Sequence, residues 1–223
     1  MGYDWNFSFL QPYAGAFLRG TWVTIELSVL SFVAGTLAGL PLGMLLRLKR
    51  FGIGFLLLND ALRAIPILVL LFFVYYFPYQ ALLHLPAPGP LGCAILAMAV
   101  SQAAYTADLV RAAVDGVPRR AILGGRALGL REKTIFRYIV LPDIIRQMLP
   151  AQVAFFIGIV RLSSIASVIG AEEIVYVARL SVSQNFRSME AWVVVAIIYI
   201  ILVVPMTIAH RRLESSQWLK RRA

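Results

Sequence analysis

The sequence predicts an all-α membrane protein of five transmembrane helices, with the N-terminus outside and the C-terminus in the cytoplasm. Three observations predict this. Hydrophobic residues make up 60% of the 223, and the mean hydropathy is +0.79, more apolar surface than a single soluble core of this length hides. Five long apolar runs divide the chain, each close to the ~20 residues that cross a bilayer core. Sixteen of the 21 Lys and Arg fall in three alternate gaps, the bias that the positive-inside rule places on the cytoplasmic side.

The first span runs from about Thr21 to Leu46 and is closed by Arg47, Lys49 and Arg50. The second, about Ile53 to Phe77, is interrupted by Asn59, Asp60, Arg63 and Pro66. As continuous helix it would reach ~37 Å, longer than the ~30 Å hydrocarbon core, so its polar part belongs at the interface or in a broken first turn. The third covers about Leu91 to Leu109 and the fourth about Met148 to Gly170, with Arg161 inside it. The fifth, about Trp192 to Ala209, is the cleanest. Pro41, Pro66 and Pro205 interrupt three spans; ordinary membrane-helix prolines are favoured over gate hinges.

Three basic residues occupy 47–52. Eight occupy 111–147: Arg111, Arg119, Arg120, Arg126, Arg131, Lys133, Arg137 and Arg146. Five close the chain: Arg211, Arg212, Lys220, Arg221 and Arg222. The opposite side holds only Arg19, Arg179 and Arg187, and 78–90 has no charge. The net charge of +10 does not indicate nucleic acid, because the cations lie between apolar runs instead of on one soluble face. Cys93 is the only cysteine; it permits no internal disulfide and reads as a small packing residue. The first 20 residues, with Asp4 and Arg19, show no cleavable-signal pattern. The whole chain, 1–223, reads as one domain with its core at about 20–210.

The outer gap 171–191 begins with Glu172 and Glu173, and Ile174 to Leu180 reads as a short amphipathic helix. It either lies flat on the outer surface or is an ordinary polar connector.

The segment from Arg111 to Gln147 is far longer than two spans need for a connection. Pro118 suits the first turn of a helix reaching about Leu128, and Gly129 is a natural stop where φ can turn positive. A second helix is expected from about Arg131 to Val140, broken by Pro142. Gly124 and Gly125 would let another surface approach closely. From composition alone, this basic knob either docks a soluble partner or lies on anionic lipid.

Ala127-Leu128-Gly129, nine intervening residues and then Ile139-Val140-Leu141-Pro142 resemble the cytoplasmic signature of permease subunits of ATP-binding-cassette importers. Leu62-Arg63-Ala64-Ile65-Pro66, Ser163-Ser164-Ile165 through Ile169-Gly170 with Glu172-Glu173, and Gly20-Thr21 with Thr24 and Leu27-Ser28 resemble stretches of the polar amino-acid, histidine/glutamine branch. Two positions depart from that pattern. Leu123-Gly124-Gly125 stand where the signature has Glu-Ala-Ala, and Leu162 stands where many relatives are acidic.

The resemblance implies a type I importer fold and a permease that moves a polar amino acid or close derivative across a bacterial inner membrane. It implies a coupling-helix loop between the third and fourth spans that seats on an ATPase dimer. Pro118, Leu123, Gly124, Gly125, Ala127, Leu128, Gly129, Ile139, Leu141 and Pro142 would form that contact. An extracytoplasmic amino-acid-binding protein would deliver the substrate to two permease subunits. The missing signature acid slightly favours a different second permease over a second copy of this chain. The alternative is a non-transporting membrane scaffold that uses the same loop.

No phosphate-binding glycine loop is present. No catalytic residue, metal site or cofactor is therefore expected in this chain, and ATP and Mg would be held by the partner. Polar groups in spans should mark the substrate path. Arg161, flanked by Ser163, Ser164 and Ser167, can take a carboxylate in a bidentate pair, or else form a structural ion pair with Glu26 or with the second subunit. Arg63 and Glu26 are weaker path candidates, Arg63 having Asp60 beside it. Asp108 and Arg111 read as a local pair.

Overall fold

A computed structural model describes residues 4–8, 10–46 and 52–216, and every assigned element among them is helical. The order is α1 (Leu10–Leu46), α2 (Gly52–Ala64), α3 (Ile67–Tyr75), α4 (Tyr79–Leu83), α5 (Pro90–Asp115), α6 (Arg119–Ala127), α7 (Glu132–Ile135), a π-helical turn (Phe136–Val140), α8 (Leu141–Leu162), a 3-10 stretch (Ser163–Ile169), α9 (Ile174–Asn185) and α10 (Ser188–Ser215). Four helical stretches are long and apolar enough to cross a membrane: Leu10–Leu46, Pro90–Asp115, Glu132–Ile169 and Ser188–Ser215. The broken pair α2–α3 makes a fifth if it counts as one span. The basic groups expected at Arg47, Lys49 and Arg50, and at Lys220, Arg221 and Arg222, lie outside the described residues.

Several boundaries differ from the sequence expectation. Helix α1 begins at Leu10, well before Thr21. Pro12 sits in its first turn, where a missing N–H costs nothing, and Tyr13 and Phe17 have an apolar surface to pack on. The break in the second span falls after a full helix α2, not in its first turn. Pro66 (φ −56°, ψ 136°) drives the preceding residue out of the α region, and the chain bends by 99° there. The carbonyl of Pro66 then accepts the N–H groups of Val69 (2.9 Å) and Leu70 (3.1 Å), starting α3.

Pro142 does not break its helix. The turn before it is widened, with the Leu141 N–H donating to the Phe136 carbonyl five residues back. The π turn relieves the clash a proline ring makes with the carbonyl four residues back, so α7, the π turn and α8 run on as one rod.

The contacts divide into two compact units. The first contains Met1–Val33, Ile65–Ala99 and Phe156–Met206. One of its cores gathers Leu27, Leu71, Cys93, Ala94, Ala97 and Ala166. Cys93 is the small packing residue the sequence suggested, its thiol donating to the Pro88 carbonyl at 3.3 Å. A second core joins α1, α9 and α10 through Phe17, Ile174, Val177, Ala178, Ala191 and Val195. Helix α9 therefore packs its apolar face on α1, and it does so at a glycine. A Cβ on Gly20 would lie 3.0 Å from Val177 and 3.2 Å from the backbone of Glu173 and Ile174.

The second unit contains Ala34–Ala64, Val100–Phe155 and Thr207–Ala223. Here α1 meets α5 through small residues. A Cβ on Gly39 would sit 2.6 Å from the Ala103 carbonyl, and one on Gly43 would sit 2.5 Å from that of Ala107. Without a hydrophobic drive between helices in lipid, close backbone approach is what holds them together. Polar glue adds to it. Gln102, Thr106 and Gln152, all buried, close a triangle of hydrogen bonds at 3.1, 3.1 and 3.2 Å between α5 and α8. The amide nitrogen of Asn59 on α2 donates to the Ala104 carbonyl at 3.3 Å.

Candidate functional site

Two places stand out, one in each unit. In the first, the end of α8 and its 3-10 extension face α9 and α10. Arg161 and Ser164 share a cavity of about 430 Å³ with Val175, Tyr199, Ile200, Val203 and Val204. Arg161 is exposed, and among the described residues its guanidinium has no ion-pair or hydrogen-bond partner; only its backbone carbonyl is used, by the Ser164 hydroxyl at 3.1 Å. Glu26 does not pair with it. The intrachain ion pair that sequence left open is thus not made, and the arginine presents its charge to a surface walled by branched aliphatic side chains.

The remaining serines are dispersed by the tight 3-10 turn. Ser163 is fully buried behind the cavity, donating to the Val160 carbonyl at 2.8 Å and meeting the Tyr199 hydroxyl at 3.3 Å. Ser167 donates to the Ser164 carbonyl at 2.8 Å and faces a separate cavity of about 390 Å³ with Arg179, whose guanidinium donates to its carbonyl at 3.5 Å.

Sequence reasoning passed over the hub of this network. Tyr199 donates toward Glu173 Oε2 at 3.5 Å. Glu173 is wholly buried and caps α9, its Oε1 accepting the Tyr176 N–H at 3.0 Å. Burial pushes its carboxyl from the ordinary 4.5 up to about 7, opposed in part by the N–H groups of Val175 and Tyr176 and by the hydroxyls of Tyr199 and Thr24. The signal that would have found it is an acid directly before an amphipathic helix, the N-cap position.

Arg63 belongs to the second unit and is already committed. It pairs with Asp108 at 2.9 Å and Asp60 at 3.4 Å, and its guanidinium lies 5.2 Å from the centre of the Tyr105 ring. Asp108 in turn holds Arg111 at 3.0 Å, the expected local pair.

The second place is helix α6. Pro118 caps it rather than lying inside it, and Gly129 closes it at φ +73°. The Leu130 N–H reaches the Gly125 carbonyl at 3.1 Å and the Gly129 N–H reaches that of Arg126 at 2.9 Å, a Schellman closure that only a residue comfortable in the left-handed region makes cheaply. The two central glycines part company. A Cβ on Gly125 would meet Ile135 and Ile139 at 3.1 Å, whereas one on Gly124 would meet nothing within 4 Å. Gly125 therefore seats α6 on the following rod, and Gly124 faces out beside Leu123, Ala127 and Leu128. Leu123 and Leu128 are 60% and 80% exposed, an apolar face on a segment outside the spanning helices. Arg126 is tied to Glu132 at 2.7 Å. Ile139 and Pro142 line a cavity of about 690 Å³ between the start of α6 and the rod, with Arg120, Asp143 and Arg146; Leu141 lies on the rod's other side, in an apolar cavity of about 540 Å³.

Comparison with known proteins places this architecture. The chain is 30% identical over 220 residues to the glutamine transport system permease protein GlnP of Escherichia coli (strain K12), covering 96% of this chain and 97% of that one. It is 32% identical over 223 residues to the octopine transport system permease protein OccM of Rhizobium radiobacter, covering 96% and 91%. A solved amino acid ABC transporter with histidines superimposes with a TM-score of 0.83 at 25% identity, over 95% of this chain and 99% of that chain. The MetNI methionine ABC transporter in an inward-facing conformation shares the fold, with a TM-score of 0.74 at 23% identity over 91% and 96%. Residues 31–218, the apolar helices and the α6 segment together, match the family described as binding-protein-dependent transport system inner membrane component, and the chain belongs to that family.

Proposed function

We propose that this chain is the permease subunit of an ATP-driven importer that carries a polar amino acid or a close derivative across a bacterial inner membrane. The observation that carries the reading is α6. It is a short capped helix with an exposed apolar face, seated through Gly125 on a rod that runs on into a spanning helix. A helix so mounted converts a push on Leu123, Gly124, Ala127 and Leu128 into movement of α8. With Pro118, Gly129, Ile139, Leu141 and Pro142 shaping its mount, it would seat in a separate ATPase dimer that holds ATP and Mg. Closure of that dimer supplies the differential contact that two-state coupling requires.

The family name supports delivery by a binding protein, and the named relatives support the substrate class, glutamine and octopine both carrying carboxylates. Arg161 with Ser164 suits such a group: a guanidinium offers paired donors to a carboxylate, beside an aliphatic wall for the rest of the ligand. The basic residues of 111–147 and at Arg211 and Arg212 support a cytoplasmic α6 and C-terminus. The absent signature acid at Leu123 supports a different chain as second permease.

Purification tests the reading. The tagged chain should bring down an ATPase whose turnover rises when amino-acid-loaded binding protein is added to the reconstituted complex. Leu123→Arg should leave the complex assembled but lower uptake about tenfold, within the range of ordinary coupling energies. Assembly with no stimulation by any loaded binding protein would favour the scaffold alternative.

A further inference from the structure

The chain before α1 is tied into the fold by hydrogen bonds to the head of α10. Glu190, in the first turn of α10, is fully buried. Its Oε1 accepts the backbone N–H of Asn6 at 3.2 Å and an Arg187 guanidinium N–H at 3.3 Å. The same Arg187 nitrogen donates to the carbonyl of Asp4 at 2.8 Å, and the Ser8 N–H closes a turn on the Asn6 side chain at 2.9 Å. A buried charge is retained at a cost unless it is paired and hydrogen-bonded, and here the pairing clamps the arm Asp4–Ser8 to the head of α10.

What the clamp displays is aromatic. Trp5 and Phe7 are 51% and 40% exposed and stacked with ring centres 5.9 Å apart. Beside Arg187, Phe186 is 85% exposed at φ +59°. That conformation disfavours a bulky residue, and a glycine or asparagine would make the same turn more cheaply. The turn thus holds a large ring out to the surroundings at a backbone conformation that other residues adopt more easily. Met189 and Trp192 follow, both exposed. Met189 heads the exposed stripe of α10 that continues through Ile197, Ile200, Val204 and Ile208, the surface of a helix apolar enough to span the membrane.

We infer that the arm and the head of α10 form an aromatic anchor seated in the glycerol and headgroup boundary of the bilayer, at the level where α10 leaves the hydrocarbon. Continuity with the apolar stripe identifies lipid as the occupant, and Trp and Phe rings beside amide and guanidinium groups suit that boundary. The clamp fixes the arm's depth, and the anchor holds α1 and α10 in register with the membrane. This rests only on the chain being a membrane protein, not on what it carries.

The test uses the assembled transporter in lipid discs. Trp22, Trp192 and Trp218 are replaced by Phe, and the spectrum of the matching Trp5→Phe form is subtracted to isolate Trp5. The expected result is blue-shifted emission that loses intensity with phospholipids brominated near the acyl carboxyl end, resists aqueous acrylamide, and is unchanged when loaded binding protein is added. Quenching by acrylamide with no effect of bromolipid would overturn the inference. So would acrylamide access that disappears only when binding protein is added, which would make the patch a protein-docking surface. Replacing Arg187 by Gln should shift Trp5 toward acrylamide; an unchanged Trp5 signal in that folded variant would remove the clamp from the scheme.

Discussion

At the residue scale, the proton count around Tyr199 decides the state of Glu173. The Ser163 hydroxyl is spent on the Val160 carbonyl, so Tyr199, standing between Ser163 and Glu173, has one proton for two acceptors if the carboxyl is ionised. A neutral Glu173 relieves this competition, because an uncharged carboxyl makes a weaker claim on the Tyr199 proton. This agrees with the carboxyl being pushed up to about 7. An unfolded glutamate ionises near 4.5 while the folded one keeps its proton to about 7, so stability from this site is full below 4.5 and is lost as pH rises to 7. Thermal unfolding of the detergent-solubilised protein should weaken across that window by up to about 3 kcal/mol, and Glu173→Gln should flatten the slope. The same slope in the variant would assign the effect elsewhere. Arg161 differs in kind, because no charge among the described residues pairs with it. Arg161→Ala should lower uptake roughly tenfold or more while complex yield changes little; equal losses in both would mark it as an ion-pair partner of the second subunit.

At the scale of elements, glycines separate structure from docking. Gly43 on α1 lies where any side chain would strike Ala107 and Val110 of α5. Gly43→Leu should cost about 3 kcal/mol or more through overpacking and appear as lost membrane yield. Gly124 faces open space, so Gly124→Ala should raise helix stability by up to about 1 kcal/mol with normal yield, and any loss should appear in ATPase coupling alone. Coupled yields in the two variants would contradict the assignment. The existence of the long helices was legible, because apolar length and proline–glycine punctuation are local signals, whereas the short α4 was not foreseen. The continuity of α7 into α8 through Pro142 was not, since the π turn that accommodates the ring answers to packing of the whole rod. The start of α1 at Leu10 was likewise hidden. Residues 10–20 carry Arg19 and Gln11, and they become a long helix only because α9 and α10 offer Phe17 a core.

At the scale of the whole molecule, the charge bias predicts a sidedness that can be read directly. In a Cys93→Ser background, Lys133→Cys should react with an impermeant maleimide only after cells are permeabilised, whereas Glu172→Cys should react in intact cells. Both positions are exposed, so the result reports side and not burial. Labelling of residue 133 from outside would reverse the topology and put α6 beyond reach of a cytoplasmic ATPase.

The sequence by itself determined the class, the family resemblance and the α6 segment with its glycine stop. These follow from hydropathy, charge placement and backbone preference, which act over a few residues at a time. The tertiary structure decided which polar groups meet. It brought Arg161 and Ser164 into one cavity, turned Ser163 and Ser167 away, occupied Arg63 with Asp108 and buried Glu173 against Tyr199. Those outcomes depend on the rotation of each helix about its axis, which is set by packing between segments distant in the chain and leaves no mark in any one of them.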